Sequence, residues 1–202
     1  KLNGKTNVPS DDEAHSPLNA DVEDAVRLGA HAVGYTLYVG SPLQSRHHED
    51  LARVRRDCER YGIPLVVWAY PRGAAVEAKG GRDSLYAVDY AARVAMELGA
   101  DVVKLNVPKK GEKDELMPRA YRELDWDYAE GARRVTASAR DTLVLFSGGS
   151  KESERDLMEK ARMVMDAGAA GLIFGRNMWQ RPLDDALEVT GRVHELFEDY
   201  PW

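Results

Sequence analysis

The sequence is short of thiols, imidazoles and positive charge. It has 1 cysteine and 5 histidines in 202 residues, and 28 Lys and Arg against 34 Asp and Glu. A single cysteine, Cys58, excludes an internal disulfide and suits a reducing compartment, so a cytoplasmic location is expected. Its charged, helix-like surroundings argue against a nucleophilic thiol. The net charge of -6 leaves no basic footprint, so neither nucleic acid nor an anionic membrane is an expected partner. No apolar run reaches the roughly 18 residues that a membrane span needs. Only His47 and His48 are close, and adjacent helical positions point about 100° apart. No set of side chains has zinc-ligand spacing, so no metal or other cofactor is expected. The chain also lacks an initial methionine. It opens on Lys1-Leu2-Asn3-Gly4-Lys5-Thr6, which reads as a strand, and an earlier segment is expected before it.

What is present is a repeated plan. Asp21 to Ala30 leads into His31-Ala32-Val33-Gly34-Tyr35-Thr36, Val94 to Ala100 into the run Ala100-Asp101-Val102-Val103-Lys104-Leu105-Asn106-Val107, and Met163 to Ala170 into Gly171-Leu172-Ile173-Phe174-Gly175-Arg176. Each unit is an amphipathic helix, a Gly-Ala stop and a short apolar strand. The glycine takes the left-handed conformation that ends a helix. Two further strands lie at Ile63-Pro64-Leu65-Val66-Val67-Trp68-Ala69-Tyr70 and Thr142-Leu143-Val144-Leu145-Phe146-Ser147, giving about six with the opening segment. Helical patterns fall near residues 46–61, 82–98, 126–139, 151–167 and 182–199. Alternating strands and helices predict an α/β fold with a parallel sheet. Polar residues follow nearly every strand: Thr36, Tyr70 and Arg72, Lys104 and Asn106, Ser147 and Lys151, Arg176 and Asn177. A (β/α)8 barrel builds its site from several strand ends at one face, whereas an open sheet concentrates it at a switch point. The expectation is one barrel domain over residues 1–202, without its first two βα units.

Lys104 is the most informative residue. Burial near the carboxyl end of an apolar strand disfavours an ammonium, and lowers an amine's pKa towards one that attacks a carbonyl. The plain alternative is a lysine that snorkels to solvent. Trp68 and Tyr70, two apart on one strand, face the same way, so Tyr70 is a candidate acid or base; a core aromatic pair is the alternative. The turns Ser147-Gly148-Gly149-Ser150-Lys151 and Phe174-Gly175-Arg176-Asn177 let backbone approach an anion, and together point to a phosphate site at the last two strands. Two tight turns without a ligand would look the same. Neither has the spacing of a Walker or dinucleotide motif. The charged residues 109–116 read as a solvated loop.

In combination, Lys1-Leu2-Asn3-Gly4-Lys5-Thr6, Ala32-Val33-Gly34-Tyr35-Thr36, Val66-Val67-Trp68-Ala69-Tyr70-Pro71-Arg72-Gly73, Leu98-Gly99-Ala100-Asp101-Val102-Val103-Lys104, Ser147-Gly148-Gly149 and Gly175-Arg176-Asn177-Met178-Trp179-Gln180-Arg181 resemble the archaeal-type class I fructose-bisphosphate aldolases, of the DhnA-like branch of the DeoC/LacD Schiff-base aldolases. The resemblance implies a lyase of glycolysis and gluconeogenesis on a (β/α)8 barrel. Lys104 would be the Schiff-base lysine and Tyr70 the proton donor. Trp68, Arg72, Ser147, Gly148, Gly149, Gly175 and Arg176 would bind the substrate and its phosphate. It also implies a cytoplasmic homo-oligomer, often a decamer, acting on a phosphorylated sugar. The family's Asp-His-Gly turn after its first strand has no counterpart here, because the opening strand matches the family's third. Two alternatives stand beside it: a related transaldolase-like synthase or thiolase that would use the same lysine on another phosphorylated sugar, and a phosphosugar-binding barrel without catalysis, which has no need of that lysine.

Overall fold

The structure is a computed structural model, and it describes residues 1–111, 115–149 and 152–200. The elements in chain order are α1 (Val22–Arg27), β1 (Val33–Val39), α2 (Gln44–Tyr61), β2 (Leu65–Pro71), α3 (Ala74–Glu77), α4 (Leu85–Glu97), β3 (Val102–Asn106), α5 (Arg119–Arg122), α6 (Tyr128–Ala139), β4 (Leu143–Ser147), α7 (Glu154–Asp166), β5 (Gly171–Ile173), α8 (Arg176–Trp179) and α9 (Leu183–Glu198).

Helix starts follow from side chains that accept the orphan N–H groups of the first turn. Asp21 and Asp127 form capping boxes with Asp24 and Glu130, while Ser84 and Ser153 cap α4 and α7. The Gly-Ala stops behave alike. The N–H groups of Ala30, Ala100 and Ala169 bond to the carbonyls of Ala25, Ala95 and Val164 at 3.0–3.1 Å, five residues back. That bond needs the positive φ of Gly29, Gly99 and Gly168.

All five strands are parallel and pair in sequential order, β1-β2-β3-β4-β5. A doubly wound sheet reverses its order at a switch point, and this one does not. The order is that of an arc of a (β/α)8 barrel. One face of the sheet carries the core: Tyr35 and Leu37, Val67 and Ala69, Val103 and Leu105, Val144 and Phe146, each fully or almost fully buried. Small residues on the covering helices, among them Ala91, Ala92 and Ala95 of α4 and Ala132 and Ala139 of α6, let the layers approach closely. The other face alternates as half-buried residues along β2, β3 and β4.

The opening segment departs from the expected sixth strand. It makes one isolated bridge, Asn3 to Leu18, and lies beside β1 through a single backbone bond, Leu2 N–H to the Gly34 carbonyl at 2.8 Å. The Asn3 side chain supplies the next rung: its amide accepts from Thr36 N–H at 2.7 Å and donates to the Thr36 carbonyl at 2.9 Å. Residues 4–6, polar and glycine-containing, then leave the sheet, and the chain doubles back to Leu18 and Asn19. The sixth position is held by a side chain in place of a ladder.

Candidate active site

Strand register sets the site. Lys104 lies opposite Trp68 on β2 and Leu145 on β4, on the half-buried inner face. Two residues further on, Tyr70 stands opposite Tyr38, and Asn106 opposite Ser147 and Ile173 in turn. These carboxyl ends open into a cavity of about 540 Å³. Of the residues singled out in the sequence, Tyr70, Arg72, Lys104, Ser147, Gly148, Gly149, Gly175 and Arg176 all line it.

Trp68 does not line the cavity. Its ring lies over Gly34, where a Cβ would fall 2.1 Å from Cζ3. Glycine at that point of β1 therefore lets the indole fill the inner face one layer below the mouth. Trp68 thus stands level with Lys104 on the neighbouring strand, its ring packed over Gly34 and outside the cavity lining. Ser150 and Lys151 lie outside the described residues, as do residues 112–114 of the charged loop.

Lys104 Nζ donates a hydrogen bond to Tyr70 Oη and sits 5.0 Å from the centre of the Tyr70 ring. Desolvation, then the charges of Lys1 and Arg176, pull the lysine pKa down from 10.5 to about 8. Burial pushes the Tyr70 phenol up, so it keeps its proton, while the Arg72 and Arg176 charges oppose the rise. Arg72 stacks 5.4 Å from the Tyr70 ring centre and pairs through Nε with Asp11 at 3.1 Å. Lys5 and Arg82 converge on the same carboxylate at 2.8 and 3.0 Å.

Five cationic side chains, Arg72, Lys104, Lys109, Lys160 and Arg176, face the cavity against two carboxylates, Asp83 and Glu152. Asp83 pairs with Lys109 at 3.1 Å and Glu152 with Lys160 at 2.5 Å. The surplus suits an anionic ligand. Gly148 and Gly175 sit where the two final turns crowd together: a Cβ on Gly148 would lie 2.5 Å from the Phe174 ring, and one on Gly175 2.6 Å from Trp179. Buried Asn177 ties the turns to each other, donating to the Gly148 carbonyl at 3.0 Å and accepting from Glu152 N–H at 2.9 Å.

Asp83, Glu152, Lys160 and Trp179 reach the cavity without having been legible as site residues. Each sits beside a helix start or within a charged helix, where such residues are ordinary. His47, considered for metal, is buried and bonds instead to Tyr35 and the Ala14 carbonyl, both at 3.3 Å. Burial pushes the Cys58 thiol up to about 11, leaving it protonated in the core. Lys109, expected in a solvated loop, is docked by its N–H on the Asp83 carbonyl at 2.7 Å.

Residues 1–181 match the family model described as DeoC/LacD family aldolase. The chain belongs to that family. A fructose-bisphosphate aldolase class 1 from Thermoproteus tenax is 41% identical over 197 residues, covering 97% of this chain and 66% of the relative. A 2-amino-3,7-dideoxy-D-threo-hept-6-ulosonate synthase from Halobacterium salinarum is 31% identical over 196 residues, covering 96% of this chain and 65% of the relative. Among solved structures, an archaeal fructose-1,6-bisphosphate aldolase with its catalytic Lys bound to the carbinolamine intermediate superposes with a TM-score of 0.80. It is 38% identical and covers 96% of this chain and 68% of its own. The chain thus spans just under two thirds of the length of the two curated relatives, at 66% and 65%.

Proposed function

We propose that this DeoC/LacD-family chain carries the Schiff-base centre of a class I aldolase that reversibly cleaves fructose 1,6-bisphosphate. The observation that carries the reading is Lys104, an amine with a depressed pKa bonded to Tyr70 at the wall of a cation-rich cavity. With a pKa of about 8, roughly a tenth of the amine is neutral at pH 7, far more than for an ordinary lysine. Neutral Lys104 adds to the C2 ketone, and loss of water gives an iminium. The cation draws the C3–C4 bonding pair towards C2 as the C4 hydroxyl loses its proton, releasing glyceraldehyde 3-phosphate. Tyr70, kept protonated, returns a proton to the enamine at C3, and hydrolysis frees dihydroxyacetone phosphate. Gly148, Gly149 and Gly175 with Arg176 form the grip for a substrate phosphate, Arg176 also depressing the lysine.

The test is turnover by the full chain and its Lys104→Arg variant. Loss of cleavage by at least about a thousandfold, with an unchanged melting temperature, is expected; full activity in the variant contradicts the assignment. Turnover of a different phosphorylated sugar in the same assay would move the substrate to that of the related synthase.

The reading includes a cytoplasmic homo-oligomer. Trp179, Leu183 and Leu187, 74%, 73% and 62% exposed, gather apolar surface on α8 and the start of α9. No helix among the described residues is long and apolar enough to cross a membrane. A single-chain mass by light scattering would contradict self-association.

A further inference from the structure

One wall of the cavity has a polarity fixed from end to end. Asp83 lies in the turn before α4, held by Lys109 at both its carbonyl, at 2.7 Å, and its carboxylate, at 3.1 Å. An ionised carboxylate only accepts, so its Oδ1 faces the donating end of the Asn106 amide, Nδ2, at 2.9 Å. The amide oxygen therefore points the other way. It accepts from Ser147 Oγ at 2.7 Å. A hydroxyl has one proton, and that of Ser147 is directed to Asn106, leaving lone pairs towards the cavity.

We propose that Asp83 and Asn106 hold the Ser147 hydroxyl as a hydrogen-bond acceptor, which makes this wall a reader of substrate hydroxyl groups and not of phosphate. A lone pair repels a phosphate oxygen and accepts from a sugar hydroxyl. Asn106 follows Lys104 by two residues on the same inner face. A ketose joined to Lys104 through C2 would therefore bring its hydroxyls within reach of this wall. The assignment rests on the aldolase reading for its substrate class, and it moves Ser147 out of the phosphate grip. Asp83 and Asn106 are positioning residues that act through Ser147. The ligand class is a phosphorylated polyol with a free hydroxyl beyond the carbonyl carbon.

The test is calorimetric titration of the full chain with fructose 1,6-bisphosphate and, separately, inorganic phosphate. It compares wild type, Asp83→Asn and Ser147→Ala, with borohydride trapping at Lys104 run in parallel. Asp83→Asn lets the Asn106 amide turn over, freeing Ser147 to donate. Both variants should lower the sugar-to-phosphate affinity ratio about threefold to tenfold, the worth of one hydrogen bond, with phosphate itself bound no more weakly. Weaker phosphate binding in Ser147→Ala, or an unmoved ratio, would overturn the assignment. If Asp83→Asn fails to fold, Ser147→Ala decides alone. A lowered ratio without trapping in the wild type leaves the hydroxyl reader standing and removes the Schiff-base reading. Trapping with an unmoved ratio does the reverse. No sugar binding by the wild type overturns both.

Discussion

On the proposed mechanism, Lys104 concentrates the chemistry because two opposed demands meet on one nitrogen. Its strand position withdraws it from water, which destabilises the ammonium, and Tyr70 Oη offers it one acceptor. The reactive form is the neutral amine, whose fraction rises with pH through about 8. Iminium formation should therefore accelerate from pH 6 to a plateau above a midpoint near 8, read as the rate of reductive trapping at saturating ketose. Desolvation is the first cause of the shift and Arg176 a smaller one. Arg176→Gln should move the midpoint upward, and an unchanged midpoint would remove Arg176 from the electrostatics. The stability linkage has the same sign. With a folded pKa below the unfolded 10.5, the unfolded chain holds more protons from about pH 8 to 10.5, and this group's contribution to stability rises with pH across that window. On the proposed mechanism, Tyr70→Phe removes the proton donor but not the amine. Turnover should fall by about a hundredfold or more while trapping at Lys104 persists, checked by steady-state cleavage beside peptide mass analysis. The lysine stood out in the sequence, since few residues are so out of keeping with a buried strand, although a snorkelling side chain fitted the same strand. The resemblance put Lys104 and Tyr70 in one site; their direct bond across 34 positions depends on the β2–β3 register and was not legible.

The elements place these residues through close contacts that the sequence marks only as glycine or asparagine. Gly34 of β1 is open space for the Trp68 ring, and Gly34→Ala would drive a methyl into it. The indole would have to move on the layer that carries Lys104, so Gly34→Ala should lower the melting temperature and the trapping rate together. Asn177 joins the turns after β4 and β5. Asn177→Ala orphans the Gly148 carbonyl and the Glu152 N–H, and should cost about 2 kcal/mol by urea unfolding while raising the KM for a phosphorylated substrate. An unchanged KM would place the phosphate grip elsewhere. Helix stops were legible, because the Gly-Ala pairs fix them within a residue or two, whereas α4 and α7 start three residues later than the apolar pattern suggested, behind the Ser84 and Ser153 caps. The opening segment misled for a physical reason: Asn3 reproduces a strand rung with its side-chain amide, a substitution that composition does not reveal.

At the scale of the molecule, the described residues form five parallel strands in unbroken order, and the carboxyl ends of β2 to β5 gather around one cavity. That order separates a barrel arc from a doubly wound sheet, and it accounts for polar residues after every strand. Repetition of helix, stop and strand made the architecture readable before any contact was known. The wall formed by Asp83, Asn106 and Ser147 was not readable, since its three members come from one turn and two strand ends and their polarity follows from one carboxylate. The central claim is that Lys104 is the group that bonds covalently to the substrate. Borohydride reduction of the full chain with fructose 1,6-bisphosphate or dihydroxyacetone phosphate, followed by peptide mass mapping, tests it directly. The account predicts a single sugar-phosphate adduct on the peptide containing Lys104. A folded protein with no adduct, or with an adduct on another lysine, would contradict it.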